Sequence, residues 1–338
     1  MSWKLPNASL SRMILPSCAP SSTEFQLLKR LLANRNCKLA FRDLLAAVQS
    51  DEKEVWESLC RLQEQGFVIN CSPVVGISLE DPLPDILHPV ELQILLERRE
   101  FHIRWKPEIF QVIGSTNDEV IKQAKRGAKE GLVVVSDRQL KGRGRQGRSW
   151  ESFLPLGLYM TALLRPKWPV ANPQQLAILS SLSAAEALFQ MGLKTVAIKW
   201  PNDIVVGAKK LGGILIEIDR DEGGNWFAAI GIGINLNQHT IHFSESLQAK
   251  ATSFYLETGK KVRRVELLIE ILSQLDRNSQ RSFGAIKSLW EKRMVQWNEK
   301  VVFEANGQKM VGRMIGIDET GCLLIESESG SIQKIFSI

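Results

Sequence analysis

The stretch LVVVSDRQLKGRGRQGRSW, residues 132–150, joins an apolar run to a cationic one. Its first half is rich in β-branched residues, which favours a buried β-strand. Its second half places four cationic side chains and three glycines within the ten residues 141–150, and no acidic residue lies between Arg138 and Trp150. Glycines permit close backbone approach to a ligand, and arginine forks suit phosphate or carboxylate oxygens. The stretch therefore predicts a strand-exit loop whose positive charge stays unpaired until an anionic ligand binds.

Four side chains give this loop its predicted chemistry. Arg143, Arg145 and Arg148 supply fixed positive charge, and Trp150 offers an aromatic face on which a planar base could stack. The spacing matches neither a Walker A loop nor the dinucleotide fingerprint. Composition alone leaves a solvated basic loop without a ligand as an open alternative.

The chain around the loop has the pattern of a mixed α/β unit. Further apolar strand patterns occur at residues 157–165, 195–201, 211–219 and 226–236. A long apolar helix is predicted over residues 173–192, and a second helical stretch over residues 264–293. Strands this apolar imply a sheet with at least one well-covered face.

Smaller units are predicted on both sides of this region. Three short helices, the third capped by Ser50, precede two short strands, which is the layout of a winged helix-turn-helix. The alternating pattern after Lys300 indicates a small all-β unit. The chain is therefore predicted to be an α+β protein with a winged helix at residues 22–80, a linker helix at 81–103, a catalytic domain at 104–295 and a β unit at 296–338.

Bulk composition narrows the class of protein. Hydrophobic residues make up 44% and charged residues 24% of the 338 residues, as in ordinary globular proteins, and the net charge of +6 suits an anionic ligand or nucleic acid. No apolar run is long enough for a membrane span. The five scattered cysteines are typical of reduced thiols, so a cytoplasmic location is expected. His239 and His242 lack a third ligand nearby, so no protein metal site is predicted.

Three short motifs outside the loop carry polar groups at strand ends. GSTN, residues 114–117, lies where a strand meets a helix, and as a bare helix cap it would be unremarkable. KWPND, residues 199–203, follows a β-branched strand and could be an ordinary polar turn. Lys210 stands beside Gly212 and Gly213 at the start of another strand, where it could contact an anion.

Taken in order, these motifs resemble those of the biotin protein ligases. The matching pieces are STN at 115–117, GRGRQGR with Trp150 at 142–150, KWPND at 199–203, KLGGILIE at 210–217 and GIGIN at 231–235. The end regions resemble the longer, bifunctional form, a biotin ligase and biotin-operon repressor, so the resemblance covers residues 22–338. It implies a class II synthetase-like central domain and an SH3-like β-barrel at the C-terminus.

The resemblance also implies a function and roles for individual residues. The enzyme would adenylate biotin with ATP and Mg²⁺, then transfer biotin to a lysine of the biotin carboxyl carrier protein of acetyl-CoA carboxylase, and a homodimer would be expected. Catalytic roles would fall on Arg145, Lys199 and Lys210. Biotin would contact Ser115, Thr116, Asn117, Gln139, Arg143, Gly144, Arg145, Lys210 and Gly213. ATP and the adenylate would contact Arg145, Arg148, Trp150, Lys199, Asn202, Asp203 and Asn235.

The predicted recognition helix departs from a DNA-binding pattern. Residues 51–65 hold five acids against Lys53 and Arg61, a net charge of 2 − 5 = −3, and the following wing has no Lys or Arg. Because DNA binding requires cations near phosphates, the winged helix could bind DNA weakly or serve as a structural or partner-docking unit. A biotin-responsive repressor that binds operator DNA stays open beside it.

Three other functions remain to be separated from biotin ligation. A lipoate-type ligase of the same fold would share the adenylate chemistry but is not expected to have the arginine-glycine loop. A transcription regulator without chemistry would have no need of the cations Arg145, Lys199 and Lys210. A stand-alone binding protein is the least specific alternative.

Overall fold

The chain is built around a seven-stranded mixed sheet, which a computed structural model shows together with the units on either side of it. The structure describes residues 22–72, 75–165, 173–295, 297–305 and 308–335.

The N-terminal unit consists of three helices and a two-stranded antiparallel ribbon, in the predicted order. The elements are α1 (Thr23–Ala33), α2 (Phe41–Val48), α3 (Glu52–Glu64), β1 (Ile69–Ser72) and β2 (Gly76–Leu79). Apolar residues at helical spacing, among them Phe25, Leu28, Val55 and Leu59, form a core separate from that of the sheet. The next helix, α4 (Pro89–Glu97), confirms the helix predicted within residues 81–103.

The cap of α3 differs from the sequence prediction. Asp51, not Ser50, is the N-cap, since the Asp51 carboxylate accepts a hydrogen bond from the Glu54 N–H at 2.8 Å. The Ser50 hydroxyl instead accepts from the Thr23 hydroxyl at 3.0 Å, which ties α3 to the start of α1. The carboxylate is the stronger acceptor for the orphan N–H groups at a helix start, so Asp51 takes this position.

The central region supplies all seven strands of the mixed sheet and most of the helices that cover it. The strands are β3 (Lys106–Ile113), β4 (Leu132–Gln139), β5 (Gly157–Leu164), β6 (Val196–Lys199), β7 (Asp203–Val206), β8 (Lys209–Arg220) and β9 (Trp226–Asn235). The helices are α5 (Thr116–Lys125), α6 (Pro173–Gln190), α7 (Glu245–Gln248), α8 (Phe254–Thr258), α9 (Arg264–Ser279) and α10 (Phe283–Glu291). Strand β7 was not predicted, and β3 is the strand that was expected before GSTN without bounds. The second helical stretch divides into α9 and α10, because the Ser282 hydroxyl caps a new helix at the Ala285 N–H.

The strand order in the sheet is β3-β4-β5-β9-β8-β7-β6, with β3 parallel to β4 and every other pair antiparallel. Alternate residues point to opposite faces. Val133, Val135 and Ile230 pack with α6 and α9 on one face, whereas Val134 and Phe227 pack with α5 on the other. Helix α5 covers only part of its face, and the uncovered part holds the candidate site.

The C-terminal unit is a four-stranded antiparallel sheet in the order β10-β11-β12-β13. Its strands are β10 (Lys300–Ala305), β11 (Gln308–Ile317), β12 (Leu323–Ser327) and β13 (Ile332–Ile335), which confirms the predicted small all-β unit. The indole Nε1–H of Trp200, in the KWPND turn, donates to the Gly321 carbonyl oxygen at 3.1 Å. This bond joins the small sheet to the central unit beside the candidate site.

Two further observations concern the described residues only. None of their helices combines the length and the apolar character that a membrane crossing requires. Cys37, Cys60, Cys71 and Cys322 are free thiols, and Cys18 lies outside the described residues.

Candidate active site

A cavity of about 590 Å³ lies on the uncovered part of the α5 face of the sheet. Its walls come from the start of α5, the loop after β4, the turn between β6 and β7, strands β8 and β9, and the segment after β9. All of the predicted site residues line it: Ser115, Thr116, Asn117, Gln139, Arg143, Gly144, Arg145, Arg148, Trp150, Lys199, Asn202, Asp203, Lys210, Gly213 and Asn235. The fold thus brings together motifs that are far apart in sequence.

Two glycines of β9 form the floor of the cavity. Earlier in the same strand, larger residues occupy the positions that face this side of the sheet. Phe227 and Ala229 pack under α5, and the next residues on that face are Gly231 and Gly233. A Cβ atom at position 233 would lie 2.8 Å from the Trp150 ring. The indole therefore rests directly on the sheet backbone. A side chain at position 233 of the GIGIN motif would occupy the space of the Trp150 ring.

The STN residues are more than a helix cap. Ser115 is the N-cap of α5, yet its hydroxyl makes no capping bond. The Thr116 N–H and hydroxyl both donate to Gln139 Oε1, at 2.9 and 3.1 Å. The Thr161 hydroxyl of β5 donates to Asn117 Oδ1 at 2.6 Å. These buried side chains form a polar cluster that connects α5, β4 and β5, with donors and acceptors suited to a small polar ligand.

The loop after β4 folds back on itself as a short hairpin. The Gly144 N–H donates to the Arg148 carbonyl oxygen at 2.7 Å, and the Trp150 N–H donates to the Gly142 carbonyl oxygen at 2.9 Å. At its tip, Gly147 has φ +71°, a left-handed conformation that glycine adopts without steric cost. The hairpin places the three arginines and Trp150 along the cavity.

The prediction that the loop charge is unpaired is wrong for Arg143. Its Nη1 lies 2.6 Å from Asp118 Oδ1, and its Nη2 donates to both carboxylate oxygens of Glu217, at 3.0 and 2.9 Å. Partial burial disfavours the charge, but the hydrogen bonds to Glu217 and Asp118 outweigh it and raise the pKa of Arg143. The sequence could not show this pairing because Glu217 lies 74 residues further along the chain.

Arg145 and Lys210 have different partners from Arg143. Arg145 Nη1 donates to Asn202 Oδ1 at 3.2 Å, and Asn202 Nδ2 donates to the Ile214 carbonyl oxygen at 2.7 Å. Lys210 Nζ lies 2.6 Å from Asp203 Oδ1 and 5.6 Å from the Trp150 ring centroid. Positive charge from the loop and from β8 therefore meets beside an aromatic ring, an arrangement that suits a ligand with both an anion and a planar base.

Several cavity residues were not predicted from the sequence. Tyr159, Gln238 and His242 line the cavity, and none of them belongs to a recognisable motif. Burial raises the pKa of the Tyr159 hydroxyl, so this group stays neutral at ordinary pH. Gln238 is 5% exposed, and its Oε1 has no hydrogen-bond partner among the described residues. Because a buried acceptor without a partner is costly, this oxygen can accept a hydrogen bond from a water or a ligand in the cavity.

Comparison with known proteins follows the same division of the chain. Residues 109–237 match the biotin/lipoate A/B protein ligase family, and residues 298–337 match the biotin protein ligase C-terminal domain. A bifunctional ligase/repressor BirA from Bacillus spizizenii is 32% identical over 288 residues, which cover 84% of this chain and 87% of the relative. A biotin–[acetyl-CoA-carboxylase] ligase from Paracoccus denitrificans is 31% identical and covers 64% of this chain and 92% of the relative.

A solved structure supports the same relationship. The biotin protein ligase from Aquifex aeolicus, in complex with biotin and ATP, superposes with a TM-score of 0.60 at 34% identity. The match covers 69% of this chain and 96% of that one. At this identity and coverage, the chain belongs to the biotin protein ligase family and is an enzyme of that ligase class.

Proposed function

We propose that this enzyme activates biotin with ATP to form biotinyl-5′-AMP and then transfers biotin to a lysine of a carrier protein. The observation that carries the proposal is the shared cavity. It joins the polar cluster of Ser115–Asn117 and Gln139 to a second group, in which Arg145, Lys199 and Lys210 line the same cavity as Trp150. The first group suits the ureido ring of biotin, and the second suits a carboxylate, phosphates and adenine.

The charges account for the first step. A carboxylate oxygen of biotin attacks the α-phosphorus of ATP, the bond to pyrophosphate breaks, and pyrophosphate leaves. Two anions approach each other in this step, and the transition state gathers further negative charge. Arg145, Lys199 and Lys210 line the cavity, and we propose that they donate to the phosphate oxygens and stabilise that charge.

ATP is expected to bring Mg²⁺, and the cavity offers it few protein ligands. Among the described residues, no group of three His, Cys, Asp or Glu side chains is placed to hold a metal ion. Asp203, beside Asn202, is a carboxylate at the cavity wall that would suit this task, and Mg²⁺ is commonly held by one or two carboxylates together with phosphates. The ion would add positive charge at the phosphates.

In the second step, the amine of the carrier lysine attacks the acyl carbon, AMP leaves, and the amide forms with loss of a proton. The adenylate must be kept from water until the carrier arrives. We propose that the hairpin loop with Arg145 supplies this cover. The biotin carboxyl carrier protein of acetyl-CoA carboxylase is the proposed acceptor, because the Paracoccus relative is named for that substrate.

The test is an adenylation assay with purified protein, Mg²⁺ and ATP labelled at the α-phosphate, with either biotin or lipoate. Labelled adenylate with biotin alone is the expected result. Adenylate with lipoate alone would move the enzyme to the lipoate ligases. If a folded sample forms no adenylate with either acid, the proposed function is wrong and a sensor or binding protein replaces it.

A second candidate function, as a biotin-responsive repressor, concerns the N-terminal unit. We propose domains at residues 22–80, 81–103, 104–295 and 296–338, with the first a winged helix and the last an SH3-like barrel. The Bacillus relative is named a ligase/repressor, which favours a repressor role for this unit, and we propose that it would bind operator DNA as a homodimer. The charges on α3 favour the opposite, since Arg61 Nη2 lies 2.8 Å from Glu54 and Lys53 Nζ lies 3.9 Å from Glu57. Sedimentation with and without biotin and ATP tests the dimer.

A further inference from the structure

Glu217 lies in the middle of β8 and touches two residues that the biotin-ligase resemblance assigns to biotin. Its Oε2 accepts a hydrogen bond from Asn117 Nδ2 at 2.7 Å, and both of its oxygens accept from Arg143 Nη2. On β8, Gly213 and Leu215 line the cavity, and Glu217 continues the same row. The carboxylate therefore stands just behind the cavity wall, in contact with residues that form it.

The orientation of the Asn117 amide depends on this carboxylate. The Thr161 hydroxyl donates to Asn117 Oδ1, so the amide oxygen faces β5 and the NH₂ group faces β8. A carboxylate can only accept, which makes Glu217 the matching partner for that NH₂ group. Gly231 lies below the amide, and a Cβ atom there would overlap Asn117. The side chain of Asn117 is thus fixed from three sides.

Arg143 is held between two acids from different elements. Its Nη2 meets Glu217 of β8, while its Nη1 meets Asp118 of α5 and donates to the Ser115 hydroxyl at 3.3 Å. The guanidinium thereby joins the first arm of the hairpin loop to the start of α5 and to the sheet. The two carboxylates beside Arg143 largely offset its positive charge, in contrast to Arg145, which donates to the neutral amide oxygen of Asn202.

We infer that Glu217 is a positioning residue for the acid substrate. It orients the Asn117 amide and, through Arg143, holds the loop of residues 140–150 against the cavity. It also keeps Arg143 paired, which leaves Arg145 as the arginine of this pair that meets the carboxylate and the phosphate. The inference rests on the proposed function, which identifies that acid as biotin.

The experiment compares wild type with Glu217→Gln, which keeps the shape of the side chain and removes its charge. A charge-assisted hydrogen bond at a partly exposed site is lost, so the KM for biotin should rise about tenfold. The KM for ATP should rise less than the KM for biotin, because the Trp150 ring also rests on the strand backbone at Gly213 and Gly233. Glu217→Asp, which retains the charge, should recover part of the loss. Asp219→Asn is the matched control, since Asp219 lies on the same strand and pairs with Lys125 at 2.8 Å outside the cavity.

A double-mutant cycle separates positioning from a general loss of structure. If Glu217 acts through Arg143, Glu217→Gln should have a much smaller effect on the biotin KM in an Arg143→Ala background. If the effects of the two substitutions on the KM for biotin are additive, Glu217 does not act through Arg143. A biotin KM equal to that of wild type, in a variant with an unchanged melting temperature, would overturn the inference as a whole.

A readout without ligand keeps this inference distinct from the proposed function. Trypsin cleaves after Lys141, Arg143, Arg145 and Arg148 only when the loop opens, so Glu217→Gln should be cut there several-fold faster than Asp219→Asn. Equal cleavage rates would show that Glu217 does not hold the loop. If wild type forms no biotinyl adenylate, the proposed function fails. The cleavage comparison still decides whether Glu217 holds the loop of residues 140–150 in place.

Discussion

Arg145 and Arg143 stand two residues apart in the same loop and have different surroundings. Arg143 contacts two carboxylates, whereas Arg145 donates to the neutral amide oxygen of Asn202. Among the described residues, no carboxylate forms an ion pair with Arg145 at 4.0 Å or less. A guanidinium with this much residual charge at the cavity is suited to bind the phosphate of an adenylate.

Replacing Arg145 with alanine should slow adenylation by about a hundredfold or more, as expected when one donor to transition-state charge is lost. Biotin should still bind, because the polar cluster at Thr116 is intact, but the adenylate should escape into solution. The measurement is the rate at which labelled biotinyl adenylate leaves the protein. Lys141→Ala, an exposed cation of the same loop, is the control. Retention of the adenylate as long as in wild type would contradict a covering role for Arg145.

Gly233 offers a second prediction at the scale of one residue. The Cβ atom of a Gly233→Ala variant would meet the Trp150 ring at 2.8 Å, so the indole must move away from the sheet. We expect a rise of about tenfold or more in the KM for ATP, with a smaller effect on biotin, because overpacking of this kind costs roughly 1–3 kcal/mol. Gly284→Ala is the control, since a Cβ atom there meets nothing within 4 Å. Normal ATP kinetics in Gly233→Ala would rule out adenine stacking on Trp150.

At the scale of elements, α4 joins the N-terminal unit to the catalytic domain and begins at an unusual cap. His88 Nδ1 accepts a hydrogen bond from the Glu91 N–H at 3.3 Å, so this nitrogen carries no proton in the folded state. Burial lowers the pKa of His88 from 6.5 to about 4. Glu24 Oε1 lies 3.8 Å from Nε2 and would favour the charged ring, but the cap geometry requires the neutral one.

The lowered pKa predicts acid sensitivity of this unit. Between pH 6.5 and about 4 the unfolded chain binds a proton at His88 that the folded chain does not. The free energy of unfolding is therefore highest above pH 6.5, and it decreases by roughly 3 kcal/mol in total as the pH falls through both pKa values. His88→Asn keeps a capping acceptor and removes the titration. Urea unfolding at pH 7, 5.5 and 4.5 should show wild type losing stability relative to the variant, and parallel pH profiles would refute the assignment.

Two arginines at the start of α9 fix the other side of the linker. Arg263 Nη2 meets both oxygens of the buried Glu91, at 2.7 and 2.6 Å, and Arg264 pairs with Asp85 and Asp137. Burial raises the pKa of Glu91, while its bonds to Arg263 oppose that shift. The linker is thus tied to the start of α9 by charge pairs, and because Glu91 and Arg264 are buried, loss of either partner would leave a buried charge.

At the scale of the whole molecule, the +6 net charge is unevenly distributed. The cations of α3 are neutralised within the unit, since Arg61 contacts Glu54 and Glu24 and Lys53 contacts Glu57. The cavity instead gathers cations from the loop, from β8 and from the end of β6. The basic character of the protein therefore belongs to its ligand site more than to its N-terminal unit.

This distribution predicts weak DNA binding. In an electrophoretic shift assay with biotin-operon-like DNA, biotin and ATP, we expect no tight complex at physiological salt, because few cations are available to displace counterions. Lowering the salt should restore only non-specific binding. A stable complex at physiological salt, abolished by unrelated competitor only at large excess, would establish the repressor instead.

Much of the architecture was predictable because it depends on local pattern. Helical spacing predicted α1 to α3, and apolar β-branched runs predicted β4, β5, β6, β8 and β9. Strand β7 was missed because its four residues directly follow the KWPN turn and are too few to form a pattern. The site residues were predicted from short motifs, and their placement in one cavity agrees with those predictions, while their individual roles await the experiments above.

The sequence by itself determined the kinds of group in the site: arginines and lysines for anions, a tryptophan for a base, and small polar residues at a strand end. These follow from composition within short segments, so no neighbour in space is needed to infer them. Only the tertiary structure decided which of the charges are paired. Glu217 reaches Arg143 across 74 residues and Asn117 across 100, and such contacts depend on how strands and helices are arranged in space. That arrangement pairs Arg143 with two carboxylates, while Arg145 remains available to a ligand.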